Sequence, residues 1–154
     1  MTHPGLSAEQ KAWFDKADAL IDEERLRKLN FDLTAIHCPT GREREASEFL
    51  VQTLTEAGFE SWYQPMGELS GNAAARMKGS GGGPSLLLYA PIDTHLEGDA
   101  ETDVPWVGPH LRADMVPDPE IRDQLGIGLG AANPKAMVTT QVEAARVVHA
   151  AGIP

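Results

Sequence analysis

The chain has 154 residues, with 13 Lys+Arg against 23 Asp+Glu and a formal charge of −10. Hydrophobic residues at 42% and charged residues at 23% are an ordinary folded balance, which argues against disorder throughout. The acid excess argues against nucleic acid, whose phosphates call for a basic stripe, and no apolar run approaches the roughly 20 residues of a membrane span.

The length predicts one domain over 1–154, with 1–23 as an N-terminal helical extension. The polar N-terminus lacks a basic stretch followed by an apolar one, so a signal peptide is not expected and the location implied is cytoplasmic. A single cysteine, Cys38, rules out an internal disulfide.

Residues 8–37 carry helical spacing. Ser7 is placed to cap the first turn, with Glu9 and Gln10 behind it. Trp13, Ala17, Leu20 and Ile21 recur on one side, and Leu26, Leu29, Leu33 and Ile36 follow with an offset, as in two helices or one bent helix. The segment 37–41, with Pro39 and Gly41, breaks the pattern. Ala46, Phe49, Leu50, Thr53, Leu54 and Ala57 then define one face of another helix, starting near Thr40 and ending at Gly58.

Residues 59–66 are expected to form a strand around Trp62 and Tyr63. A weaker strand is expected over 72–78, and a glycine-rich turn over 79–84. The run Leu86-Leu87-Leu88-Tyr89 is predicted to be a central strand buried on both faces. Residues 91–125 show no sustained period. A last helix is expected from Asn133, as N-cap, and Pro134, as first helical residue, with Met137, Gln141, Ala144, Val148 and Ala151 along one side and Gly152 closing it. The fold class is therefore α/β, a mixed sheet flanked by helices.

Three places carry candidate chemistry. Asp93 and His95 directly follow the apolar run, where strand-end loops of α/β folds hold ligands and catalytic groups; a turn-capping Asp and a solvated His are the plainer reading. The glycines of 126–130 match neither a dinucleotide fingerprint nor a Walker loop. Cys38, beside His37, reads as a small buried residue rather than a nucleophile.

Taken in order, the 39–43 turn, the helix over 49–58, Gly71-Asn72, the segment 86–94, Trp106 with Pro109, and Gly128-Leu129-Gly130-Ala131-Ala132-Asn133-Pro134-Lys135-Ala136 form a collinear string. It resembles the N-terminal part of the zinc aminoacylase/carboxypeptidase/deacetylase peptidase family, which includes acetylornithine deacetylase, succinyl-diaminopimelate desuccinylase and glutamate carboxypeptidase. The resemblance implies the first half of a zinc-peptidase catalytic domain and hydrolysis of an amide bond.

Two substitutions stand against a complete metal site. The family's H-x-D-T has Pro91 in place of its zinc-binding His, while Asp93 and Thr94 match. Its G-x-x-D-x-K-G has Asn133 in place of the Asp that bridges two zinc ions. Proline has no donor, and a neutral amide lacks the charge of a bridging carboxylate. The family's paired glutamates, remaining ligands and lid would be expected beyond Pro154, and no Glu-Glu pair occurs after Glu24. His95, with Asp93, brings the local ligands to two, below the three that catalytic zinc takes from protein.

The resemblance therefore implies a chain that works with a second protein chain supplying the rest of the catalytic domain, or that self-associates. Asp93 is the catalytic candidate, and His95, Asn133 and Lys135 are candidates for positioning substrate or water. No cofactor is expected on the isolated chain, with zinc reserved for a completed complex. A non-catalytic scaffold or regulatory protein of the same fold, and an inactive fragment, are the alternatives.

Overall fold

A computed structural model describes residues 5–153. Residues 1–4 and 154, the outermost parts of the expected extension and domain, lie outside them. The leading helical stretch is two helices. α1 (Ala8–Asp18) starts in a reciprocal cap, Gln10 N donating to Ser7 Oγ at 3.1 Å and Ser7 N to Gln10 Oε1 at 2.9 Å. α2 (Glu23–Ala35) is capped by Asp22, which accepts from Arg25 N at 3.1 Å, and it buries Leu29, Leu33 and Thr34.

α3 (Arg44–Glu56) buries Ala46, Ser47 and Leu50 and lies across the antiparallel pair β1 (Glu60–Pro65) and β2 (Gly71–Arg76). Glu43, not Thr40, stands at its start. Trp62 faces Ala74 in the strand register. Gly71 lets the Tyr63 ring lie over the start of β2, since a Cβ there would stand 2.3 Å from the Tyr63 hydroxyl and the ring would have to move.

The expected central strand does not form. Residues 84–93 run without helix, turn or bend, and among the described residues no backbone–backbone hydrogen bond reaches residues 85–91. Leu86, Leu87, Leu88 and Tyr89 are 83%, 86%, 46% and 75% exposed. A strand buried on both faces needs a neighbour at each edge and a layer on each face, and the described residues bring neither to this run. The expected mixed sheet is accordingly replaced by two separate antiparallel pairs. The parallel component is one bridge, Pro39 to Thr94, with Thr94 N donating to Cys38 O and Thr40 N to Thr94 O, both at 3.0 Å.

The stretch without periodicity holds short elements. α4 (Ala100–Val107) is capped by Asp99, which accepts from Glu101 N and Thr102 N. Buried Asp103 accepts from Glu97 N and Gly98 N and fixes the loop before it. β3 (Glu120–Arg122) and β4 (Leu125–Ile127) form a hairpin turning on Asp123 and Gln124, with φ of 49° and 70°. Its turn lacks the Asn-Gly signature, so the pattern of residue types conceals it.

α5 (Lys135–Ala151) begins after Pro134 and ends at Gly152, left-handed with φ 62°. Asn133 does not cap it: Pro134 holds the cap position and no side chain bonds the first turn. The buried face is also rotated from the expected one. Val138, Val142 and Val147 point inward and Met137 outward. Leu29, Leu33, Leu50, Val138 and Val142 make the core, with Phe49, Leu54, Ala73, Ala90 and Ile92 around it.

Candidate functional site

The Pro39–Thr94 bridge brings two loops together and places Asp93 beside Thr40. Thr40 Oγ1 donates to Asp93 Oδ2 at 2.6 Å, which fixes one carboxylate oxygen. Thr94 is buried, its hydroxyl donating to Leu96 O at 3.0 Å. The half-buried Asp93 is thus held by one hydroxyl, that of Thr40 from the facing loop, while Thr94 fixes the backbone beside it.

Behind this bridge lie a buried thiol and a buried ammonium. Cys38 is buried and its Sγ donates to Ile92 O at 3.2 Å. Lys135 is only 1% exposed, and its Nζ donates to Ile36 O at 3.0 Å. Burial pushes the Cys38 thiol up, and the Lys135 charge reverses only part of this. Burial also pushes the Lys135 ammonium down, against the pull of Cys38. Gly130 leaves room for the arrangement, since a Cβ there would stand 2.9 Å from Thr94 Cγ2 and 3.3 Å from Lys135 Cδ and Cε.

Of the candidate residues, Asp93 is held in the bridge, and Lys135 is buried beneath it with its ammonium donating to the Ile36 carbonyl. His95 and Asn133 are exposed, with no hydrogen bond among the described residues. His37 Nε2 meets Glu97 O, and Arg42 reaches the Glu97 carboxylate at 4.0 Å. The pattern of residue types did not single out Thr40 as a partner of Asp93. Nor did it single out Glu43, whose Oε1 accepts from Gly41 N while its buried Oε2 has no partner. A threonine in a Pro-Thr-Gly turn reads as helix-starting chemistry, and its long-range bond leaves no local signature.

The residues do not fit the zinc pair implied by the resemblance. Pro91 offers no donor, Asp93 is shared with Thr40, and among the described residues no three His, Cys, Asp or Glu side chains group to hold a metal.

A cleft of about 620 Å³ lies elsewhere, between α2, the β3–β4 hairpin and the start of α5, with Phe31, Ile121 and Ala131 in its lining. Its Asn30, Thr139 and Thr140 donors are spent on the carbonyls of Ala131, Lys135 and Ala136. None of the four candidate residues lines it.

The chain is 30% identical over 87 residues to a LysW-lysine/LysW-ornithine hydrolase of Pyrococcus abyssi, covering 54% of this chain and 24% of that protein. It is 35% identical over 75 residues to a hydrolase of the same description from Thermococcus kodakarensis, covering 49% of this chain and 20% of that protein. The match therefore spans about a quarter or less of these relatives' length. No family model matches, and no solved structure matches. The likeness is to hydrolases, and it is partial. Among the described residues no helix is long and apolar enough to cross a membrane.

Proposed function

We propose that this chain contributes one part of an amide-bond hydrolase, acting on an N-acyl amino acid or peptide-like substrate, with a second protein chain supplying the remaining catalytic groups. The observation that carries the reading is the likeness, at 30% and 35% identity, to two LysW-lysine/LysW-ornithine hydrolases. In this reading Asp93, oriented by Thr40, polarises the attacking water or a partner group. Exposed His95 and Asn133 contact substrate, and Lys135 positions the bridge from beneath. No step is assigned to a metal held by this chain.

Pro91 and Asn133 favour a second reading, a non-catalytic scaffold or regulatory protein of the same fold. Purification from the native host, with metal analysis and an assay on N-acyl amino acids, separates them. The hydrolase reading expects a co-purifying chain and an activity lost in Asp93→Asn. A complex without hydrolysis, or hydrolysis indifferent to Asp93→Asn, favours the scaffold.

A further inference from the structure

The turn that carries Thr40 is held by hydrogen bonds and not by packing. Thr40, Gly41 and Arg42 are exposed, and a Cβ on Gly41 would meet nothing within 4 Å. Arg42 N donates to Pro39 O at 2.9 Å, Gly41 has φ 91°, and Thr40 is not left-handed, so residues 39–42 form a type II turn. The peptide between Thr40 and Gly41 is the one that reverses when such a turn becomes type I, and glycine permits both forms. Reversal turns Gly41 N to the other side. It also rotates the Thr40 backbone, which carries the hydroxyl bonded to Asp93.

Glu43 stands where that choice is made. At the start of α3 it makes no capping bond to the first helical turn, the usual task of a polar residue there. Its side chain folds back instead, Oε1 accepting from Gly41 N. Only one orientation of the 40–41 peptide offers that N–H. Burial pushes the Cys38 thiol up, and the charges of Asp93 and Glu43 add to this, so both carboxylates lie within reach of one buried sulfur.

We propose that Glu43 is a positioning residue of the Asp93 site: it locks the Thr40–Gly41 peptide and so aims the Thr40 hydroxyl at the Asp93 carboxylate. The inference deepens the hydrolase reading and rests on it for the use made of Asp93. Glu43 acts through Thr40, by its accepting oxygen and not by its charge.

Nuclear magnetic resonance of the full chain tests it. Three-bond couplings from the Thr40 methyl carbon to its backbone nitrogen and carbonyl report the side-chain rotamer, and amide exchange at Gly41 reports the bond to Glu43. Glu43→Gln keeps an accepting oxygen, whereas Glu43→Ser caps α3 in the ordinary way but gives up the bond to Gly41 N. The expected result is one Thr40 rotamer in the wild type and in Glu43→Gln. Glu43→Ser should average the rotamers and speed Gly41 exchange by roughly tenfold or more. Gly41→Ala, which disfavours φ 91° where space is open, should loosen Thr40 in the same way. Helical circular dichroism confirms that each variant is folded. A single Thr40 rotamer kept in Glu43→Ser or in Gly41→Ala overturns the proposal, as does its loss in Glu43→Gln. Failure of the hydrolase reading shows separately, as a complex without hydrolysis.

Discussion

Arg25 of α2 and Glu143 of α5 form a forked ion pair, Nε donating to Oε2 at 2.8 Å and the second guanidinium nitrogen to Oε1. Glu143 is 4% exposed and also accepts from Asp22 N at 3.2 Å. The start of α2 is thereby fastened to the middle of α5, next to the core that both helices share.

Burial pushes the Glu143 carboxyl up, but the bonds from Arg25 and Asp22 N, with the charges of Arg25 and Arg146, hold it below its ordinary value. Its stabilisation is therefore present above the unfolded value of about 4.3 and is lost as pH falls through the lower folded value. Glu143→Gln is expected to cost about 2–3 kcal/mol near neutral pH. The loss shrinks as acid protonates the wild-type carboxyl. Urea unfolding at neutral and acid pH checks this, and an equal loss at both would contradict it.

Lys135 gives a slope of the same sign in the alkaline range, although here burial disfavours the charged form. Its folded value is lowered, so the unfolded chain binds more protons between that value and about 10.4, and stability rises with pH across the window. The raised Cys38 thiol opposes this slope, so the measurement belongs in a Cys38→Ala background. Adding Lys135→Met there should flatten the alkaline rise. A slope unchanged by the substitution would show that the ammonium is solvated in the folded chain.

Gly130, with φ 80°, separates Thr94 from Lys135. Gly130→Ala combines left-handed strain with a close contact and is expected to cost about 2–3 kcal/mol. Gly152→Ala, at φ 62° with nothing within 4 Å, is expected to cost about 1 kcal/mol from strain alone. Shifts in urea midpoint at constant slope give both numbers.

Zinc titration followed by gel filtration and metal analysis is expected to leave no stoichiometric metal on the isolated chain. The reason is the donor set at positions 91, 93 and 133, where one residue has no donor and one is a neutral amide. One tightly held zinc, lost in His95→Ala, would show that the exposed imidazole swings in to complete a site.

Most local chemistry was legible in the sequence, the Asn133 cap of α5 being an exception. Ser7 and Gln10 cap α1, Gly58 follows α3, Gly152 ends α5, and strands form around Trp62 and Ala74 where the pattern placed them. Readings that depended on distant partners went astray. Leu86-Leu87-Leu88 has the composition of a buried strand, but composition does not create the neighbours that bury it. On α5 the Met137 side and the Val138 side are both apolar, and packing against α2 selected the second. At the candidate site, Asp93 followed from its place after an apolar run. Its bond to Thr40 spans 53 residues and could not be read locally.

The α2–α5 pairing also sets an order of events during synthesis. Arg25 and Glu143 are 118 residues apart, and at about 5–20 residues per second the earlier helix waits roughly 6–24 s for its cover. Throughout that interval Leu29 and Leu33 have no α5 to close over them. The nascent chain is then most exposed to capture by chaperones and to aggregation, and faster elongation between the two helices shortens the hazard.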